Sequence, residues 1–163
     1  MKLYINQKVF SWKDRFTVYN ENEEPRYRVM GELFSWGKKL HVFDLNEREI
    51  AYIEEKVLTM MPGFRVYIGE NQVAEIVKKF TFFKPAYSIK GLDWDIQGNF
   101  SAHDYEIRDG EKRIVTIHKK WLSFGDVYEL DISDEEQELY ALAVVLAIDT
   151  VTAASSAAAA ATT

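Results

Sequence analysis

Ten consecutive apolar residues, Leu139–Ile148, follow a long strand-like stretch and have no polar face. A helix that is apolar on every side must be enclosed by protein or by lipid. Apolar runs of about 10–14 residues are more often buried core helices than membrane spans. Asp149 follows directly, and no Lys or Arg flanks the run, so a buried helix is favoured and a membrane tail anchor is the alternative.

The residues before this run predict where the helix begins. Ser133–Glu136 reads Ser-Asp-Glu-Glu, a capping box in which Ser133 accepts from a backbone amide and Glu136 reaches back. We therefore predict a helix over about residues 134–152. Residues 153–163 are rich in Ala and Thr, and we predict an exposed low-complexity tail there.

Residues 1 to about 132 alternate apolar and polar positions in short runs, which is typical of strands. A strand–turn–strand pattern recurs, with hairpin-like turns at Asp44–Asn46, Gly69–Asn71 and Asp109–Gly110. No segment is long enough for a helical crossover, so we expect antiparallel pairing. About twelve strands are predicted, and a sheet of that size usually curls or closes.

These patterns together predict one mainly β domain, residues 1–152. Its strands need a core, and its apolar helix needs an enclosure. A closed antiparallel barrel of about twelve strands around the buried C-terminal helix satisfies both requirements.

Composition excludes several classes of function. The chain has 26 acidic and 20 basic residues and a net charge of −6, which argues against a general nucleic-acid-binding protein. It has no Cys, which excludes disulfides, Cys-ligated zinc and thiol nucleophiles. Met1–Asn6 lack the apolar core of a signal peptide, so we expect a cytoplasmic protein. No nucleotide-binding motif is present, and we expect no cofactor.

Asp93, Asp95 and Asp104 form a weak candidate for a calcium site. Asp93 and Asp95 occupy the first and third positions of a calcium-loop pattern, with Gly98 at the sixth and Asp104 at the twelfth. Gln97 at the fifth position and Asp at the twelfth both depart from that pattern. The alternative is a strand with two Asp on one face, followed by a glycine turn.

Two lysine pairs lie at equivalent points of the repeated pattern: Lys78-Lys79 and Lys119-Lys120. If their hairpins were adjacent, these residues would form a cationic patch for an anionic headgroup. Neighbouring residues of a strand point to opposite faces, however, so the two lysines of one pair cannot share a patch in regular strand. The alternative is a solvated surface, since Lys is common at strand ends and edges.

Asp149 is the candidate buried charge, because it follows the apolar run directly. A buried carboxylate needs a partner, or its pKa shifts. We expect a structural polar lock, in which Asp149 accepts from a strand-borne Lys, Arg, Tyr or backbone amide. A polar site at the mouth of the barrel is the alternative.

No catalytic residue is predicted. His41, His103 and His118 lack the helical spacing of a metal-binding pair. Ser101, His103 and Asp104 are the right residue types for acyl transfer, but they are too close in one strand to form a triad.

Many short segments along the chain resemble the LURP-one-related family in its small bacterial form. They are Tyr4-Ile5, Lys8–Phe10, Phe16–Tyr19, Leu40–Leu45, Ile50–Ile53, Leu92–Phe100, Tyr105–Ile107, Lys119–Trp121, Gly125–Tyr128 and Ala143–Asp149. The resemblance covers about residues 2–150. It implies a barrel of about twelve strands around a buried helix, a fold shared with the tubby C-terminal domain and proposed for phospholipid scramblases.

The resemblance implies little about activity. Tubby domains bind phosphoinositide headgroups, and scramblases are associated with lipid movement and calcium, but no headgroup-binding residue transfers to a position here. We expect a non-enzymatic binding or scaffold protein that contacts anionic lipid headgroups, by analogy of fold. A protein-interaction module that uses the barrel exterior is the second hypothesis, and an uncharacterised enzyme is the third.

Overall fold

A computed structural model describes residues 1–6, 15–32, 37–79, 81, 86–99, 102–122 and 125–161, with the backbone alone at 121–122, 125–126 and 154–159. It contains twelve strands and one long helix. The strands are β1 (Lys2–Asn6), β2 (Arg15–Asn20), β3 (Pro25–Glu32), β4 (Lys39–Phe43), β5 (Glu49–Glu55), β6 (Gly63–Ile68), β7 (Asn71–Lys79), β8 (Ala86–Lys90), β9 (Trp94–Asn99), β10 (Asp104–Asp109), β11 (Lys112–Leu122) and β12 (Gly125–Ile132). The helix is α1 (Glu138–Ala161), preceded by a 3-10 turn, Glu135–Gln137.

All twelve strands belong to one antiparallel sheet, in the order β8-β7-β6-β5-β4-β3-β2-β1-β12-β11-β10-β9. The sheet is joined in its middle by β1 and β12, with Lys2 opposite Asp131 and Leu3 opposite Leu130. The outermost strands, β8 and β9, lie next to each other in space. No hydrogen-bonded ladder joins β8 to β9 among the described residues, so the barrel is nearly closed. The predicted fold class is confirmed.

Alternation along each strand separates the core from the surface. In β1, Leu3 and Ile5 are fully buried and their neighbours are half-buried, and in β5 Ala51 and Ile53 point inward in the same way. The period of two arises because successive side chains leave opposite faces of the sheet. The inward residues of the strands enclose one continuous apolar core.

Helix α1 fills the barrel. Residues 141–151 are buried on every side, and the helix packs mainly against β5, β6 and β7. This explains why Leu139–Ile148 needs no polar face. Among the described residues, no helix combines the length and hydropathy needed to cross a bilayer.

The start of the helix differs from the prediction. Asp134 caps the 3-10 turn, because its carboxylate accepts from the Glu136 amide at 3.1 Å. The Ser133 hydroxyl accepts from Arg113 Nε at 3.0 Å. The capping box was therefore placed one residue too early, and α1 itself begins at Glu138.

The end of the helix also differs from the prediction. We expected the helix to end near residue 152, but α1 continues to Ala161. Alanine has the highest intrinsic helix propensity, so an Ala-rich segment continues a helix that the barrel has already nucleated. Residues 162 and 163 of the predicted tail lie outside the described residues.

The two ends of the barrel differ in charge. We call one end the turn end; it carries connections 21–24, 44–48, 69–70, 91–93, 110–111 and 133–137. These connections contain eleven acidic residues and one basic residue, Arg48; the acids are Glu21, Glu23, Glu24, Asp44, Glu47, Glu70, Asp93, Glu111, Asp134, Glu135 and Glu136.

The opposite end, where β1, β3, β5, β7, β9 and β11 finish, is called the loop end. The described residues of its connections, 37–38, 56–62, 81 and 102–103, include Lys38 and Lys56 and no acid. Helix α1 starts at the turn end and reaches the loop end at Asp149 and Thr152. The net charge of −6 is therefore unevenly distributed, with the acids concentrated at the turn end.

Candidate functional site

An exposed apolar loop, Val57–Met61, connects β5 to β6 at the loop end. The side chains of Leu58 and Met60 are 93% and 99% exposed. Leu58 has a φ of 59°, a left-handed conformation that favours glycine. The Thr59 hydroxyl donates to the Met61 carbonyl at 2.8 Å, which closes the turn. The loop therefore has a defined shape and directs two large apolar side chains into solvent.

The base of the apolar loop is fixed on both sides. Lys56 N donates to the Gly63 carbonyl at 2.9 Å, and Lys78 N donates to the Pro62 carbonyl at 3.0 Å. On the other side, Gly37 packs so closely that a Cβ built on it would lie 2.7 Å from Val57 Cγ1. The loop thus lies between segment 37–38 and the end of β7.

Of the predicted headgroup-binding lysines, Lys78 and Lys79 lie beside the apolar loop. Lys78 is opposite Tyr87 on β8 and follows the inward-facing Ala74 and Ile76, whereas Lys79 is exposed on the other face. Within the part of the chain that the structure describes, neither ammonium group forms an ion pair. Lys56 at the base of the loop pairs with Glu75 Oε1 at 2.8 Å.

The second predicted pair, Lys119 and Lys120, lies elsewhere. Four strand steps separate β11 from β7 across the β8–β9 gap, about 19 Å at ordinary strand spacing. The hairpins are therefore not adjacent, and the structure does not bring the two lysine pairs together. Lys119 is exposed at the end of β11, opposite Tyr128.

Lys120 belongs to a polar cluster around Glu129 on the outer face. The Glu129 carboxylate is 5% exposed and accepts from Lys120 Nζ at 2.7 Å, from Tyr4 Oη at 2.9 Å and from Lys2 Nζ at 3.1 Å. Burial acts to raise the pKa of Glu129, but the three hydrogen bonds outweigh it and hold that pKa below its ordinary value. Lys120 is thus engaged within the protein.

Asp149 is buried at the loop end, as expected, but its partner is a residue that sequence reasoning set aside. His103 Nδ1 lies 3.3 Å from Asp149 Oδ1, and the carboxylate is 4% exposed. The predicted partner types were Lys, Arg, Tyr or a backbone amide. His103 was missed because it precedes Asp149 by 46 residues and only the closure of the barrel brings the two together.

Two tyrosines complete the surroundings of this pair. The His103 ring stacks on Tyr128, with ring centroids 4.0 Å apart, and His103 itself has a φ of 52°. Burial raises the pKa of Asp149, and the nearby imidazole only partly opposes that shift. Burial, then the charge of Asp149, raises the pKa of Tyr105 well above its ordinary value. These buried contacts suit a structural role for Asp149.

The three predicted calcium ligands do not converge. Asp93 lies in a turn-end connection, and Asp95 is opposite Arg108 on β10. Asp104 is opposite Asn99 on β9. Asn99 lies four residues along that strand from Asp95, a distance of about 13 Å. Its carboxylate instead contacts His118 Nδ1 at 2.8 Å. Among the described residues, no group of three or more His, Asp or Glu is placed to hold a metal ion.

Sequence reasoning also missed the apolar loop, although a signal was present. Val57-Leu58 and Met60-Met61 place four apolar residues in a connection that ends at Pro62-Gly63. Connections between strands are usually polar because they are solvated. An apolar connection of this kind is therefore a sign of a contact surface.

Comparisons with known proteins support the resemblance found in the sequence. A family model described as LURP-one-related matches residues 1–149. The protein named "Uncharacterized protein YxjI" from Bacillus subtilis (strain 168) is 37% identical over 151 residues, covering 93% of each chain. "Protein LURP-one-related 8" from Arabidopsis thaliana is 27% identical over 157 residues, covering 83% of this chain and 79% of that one.

A solved structure shows the same fold. The X-ray structure of an Arabidopsis thaliana protein matches with a TM-score of 0.61 and 14% identity, covering 93% of this chain and 90% of that one. At this level of identity, the match supports the fold alone.

Proposed function

The chain belongs to the LURP-one-related family, and we propose that it is a non-enzymatic binding protein that contacts anionic lipid headgroups through the loop end of its barrel. The observation that carries the proposal is the position of Lys78 and Lys79 beside the apolar loop, with no ion pair among the described residues. Lys38 lies on the other side of that loop.

The uneven charge distribution supports the proposal, although the protein has a net charge of −6. The eleven acids of the turn end repel such a surface, whereas the described connections of the loop end carry lysines and no acid. The field of the protein therefore orients the loop end toward negative charge. The anionic surface that fits this proposal is the cytoplasmic leaflet of a membrane.

The filled interior supports recognition at the exterior. Residues 141–151 of α1 are buried on every side and occupy the space in which an open barrel would hold a ligand. A headgroup must therefore bind at an end or on the outer surface. The analogy with tubby domains, which bind phosphoinositide headgroups, is consistent with this placement but provides no matching residues.

Co-sedimentation with liposomes tests the proposal. The purified protein is mixed with neutral or anionic vesicles at about 150 mM salt, where charges more than about 8 Å apart are screened. We expect binding to anionic vesicles, and we expect Lys78→Glu to weaken it. Lys90→Glu is the matched control, because Lys90 is an exposed lysine at the turn end of β8. Equal binding of the two variants would contradict the proposed site, and added calcium tests Asp93, Asp95 and Asp104.

A protein partner is the second candidate function, and one observation favours it. The outer face of β4, β5 and β6 carries a stack of rings: Tyr52 and Tyr67 are parallel with centroids 4.3 Å apart, and His41 lies 6.3 Å from both Tyr52 and Phe43. Half-buried aromatic residues are enriched at protein interfaces. Tyr67→Ala would then weaken capture of a partner without changing binding to vesicles.

A further inference from the structure

We propose that Leu58 and Met60 insert into the bilayer below the headgroups and anchor the protein there, an inference that rests on the proposed function. The apolar loop then binds at the boundary between the lipid headgroups and the acyl chains, and the lysines beside it contact the headgroup phosphates. Neither contact requires a conformational change in the barrel.

In the described part of the chain, the large hydrophobic side chains that are exposed are Leu45, Val57, Leu58 and Met60. Leu58 and Met60 are almost completely solvated, whereas Leu45 is 52% exposed. Leaving two such side chains in water forgoes the stabilisation that burial would supply. The two side chains therefore contribute nothing to the core, and their position fits insertion into an apolar phase outside the protein.

The left-handed φ of Leu58 and the Thr59 hydrogen bond hold the turn in one conformation. Its base is fixed by the Lys56–Gly63 and Lys78–Pro62 backbone hydrogen bonds. A loop that is ordered before binding loses less conformational entropy on insertion than a disordered one. Both apolar side chains are thus already positioned for insertion before the protein meets the bilayer.

The size and surroundings of the loop favour lipid over a protein pocket. Two projecting side chains bury far less than the roughly 800 Å² that each partner contributes to a stable protein interface. A bilayer needs no such area, because it surrounds a narrow projection on all sides. Lys78 and Lys79 lie at the base of the loop, where a long side chain places its ammonium group at headgroup level while its methylenes follow the apolar region.

Insertion and headgroup contact respond differently to salt. Ionic contacts with headgroups are screened as the salt concentration rises, whereas the burial of apolar area is not. The part of vesicle binding that survives high salt should therefore depend on Leu58 and Met60. The part that salt removes should depend on Lys78 and Lys79.

Fluorescence from a single labelled site tests insertion directly. The chain has no Cys, so Met60→Cys carries one environment-sensitive probe, and Leu45→Cys at the turn end carries the matched control. We expect the probe at residue 60 to shift to the blue on vesicles of mixed neutral and anionic phospholipid, and to be quenched by a quencher placed within the acyl chains. The probe at residue 45 should show neither effect.

A loss-of-binding experiment complements the probe. Leu58→Ser/Met60→Ser should weaken vesicle binding about tenfold or more, and Leu45→Ser should not. Because both side chains are more than 90% exposed, the double variant should keep the wild-type melting temperature.

The outcomes separate the two proposals. If the wild-type protein binds anionic vesicles but the probe at residue 60 does not shift and the double Ser variant binds normally, insertion is overturned and headgroup contact stands. If the wild-type protein binds no vesicle under any condition, headgroup contact and insertion are both overturned. If a soluble protein shifts the probe at residue 60 and vesicles do not, the loop binds a protein and the lipid assignment is wrong.

Discussion

The Nδ1 atom of His103 lies 3.3 Å from the Oδ1 atom of Asp149, and this contact connects α1 to the segment that precedes β10. One helical turn later, the hydroxyl groups of Thr152 and Tyr87 lie 3.3 Å apart, which connects α1 to β8. The two contacts stand on opposite sides of the gap between β8 and β9, where no ladder joins the strands among the described residues. The helix therefore bridges the one place in the described sheet order where pairing is interrupted.

Replacing Asp149 with Ala should destabilise the protein by about 1–3 kcal/mol, because it empties the space of a buried side chain and removes the carboxylate that faces His103. Urea unfolding followed by circular dichroism measures this change. Asp95→Ala, an exposed carboxylate on β9, serves as the control and should have little effect. An Asp149→Ala variant with an unchanged unfolding midpoint would show that the contact contributes nothing to stability.

The pH dependence of stability should also depend on Asp149. Because burial raises its folded-state pKa, the folded protein binds this proton more tightly than the unfolded chain does. The folded state therefore loses stability as the pH rises from the ordinary carboxylate range through the raised pKa. Asp149→Asn removes this titrating group. The stability of the variant relative to wild type should therefore rise with pH between the ordinary carboxylate pKa and the raised pKa of Asp149. Parallel stability curves for the two proteins would contradict the prediction.

Glu129 should show the opposite pH dependence. Its folded-state pKa is lowered, so its stabilisation is present above the ordinary glutamate pKa and lost as the pH falls through the lowered pKa. Glu129→Gln should cost about 1–2 kcal/mol at neutral pH, since Lys120, Tyr4 and Lys2 lose a charged acceptor. The difference from wild type should shrink in acid, as measured by denaturant unfolding at a series of pH values.

Gly98 should tolerate no side chain. Its φ is 118°, and a Cβ there would lie 2.7 Å from both the Asp104 carbonyl oxygen and Tyr105 Cα. Gly98→Ala should therefore lower the free energy of unfolding by about 2–3 kcal/mol. Gly110→Ala is the control, since its φ is also positive but nothing lies within 4 Å; it should cost about 1 kcal/mol. Equal losses would indicate that crowding at Gly98 is unimportant.

The barrel was predictable because burial on one face of a strand imposes a period of two on the sequence. Leu3 and Ile5, or Ala51 and Ile53, reveal their strands in this way. The buried helix was predictable from Leu139–Ile148, since a segment without a polar face must be enclosed. Both inferences depend only on residues that are close in sequence.

Features that depend on distant residues were not predictable. Ser133 is a good cap by residue type, but Asp134 provides the cap and the Ser133 hydroxyl accepts from Arg113. The partner of Asp149 comes from the connection before β10, and the separation of Lys78 from Lys119 depends on where β8 and β9 enter the sheet. The apolar loop was visible in the sequence, but its exposure is a property of the folded chain.

The pairing of β1 with β12 has a consequence for synthesis of the chain. Lys2 is paired with Asp131, so the first of the described strands in chain order is completed by the last of them. The ribosome makes the chain from its N-terminus, and contacts so distant in sequence form slowly because a long loop must close first. The interior of β5, β6 and β7 is likewise unfilled until α1, which follows every strand, has been translated. Completion of this barrel therefore waits for the synthesis of β12 and α1, and a chain truncated before residue 125 lacks both the strand that joins the sheet and the helix that fills it.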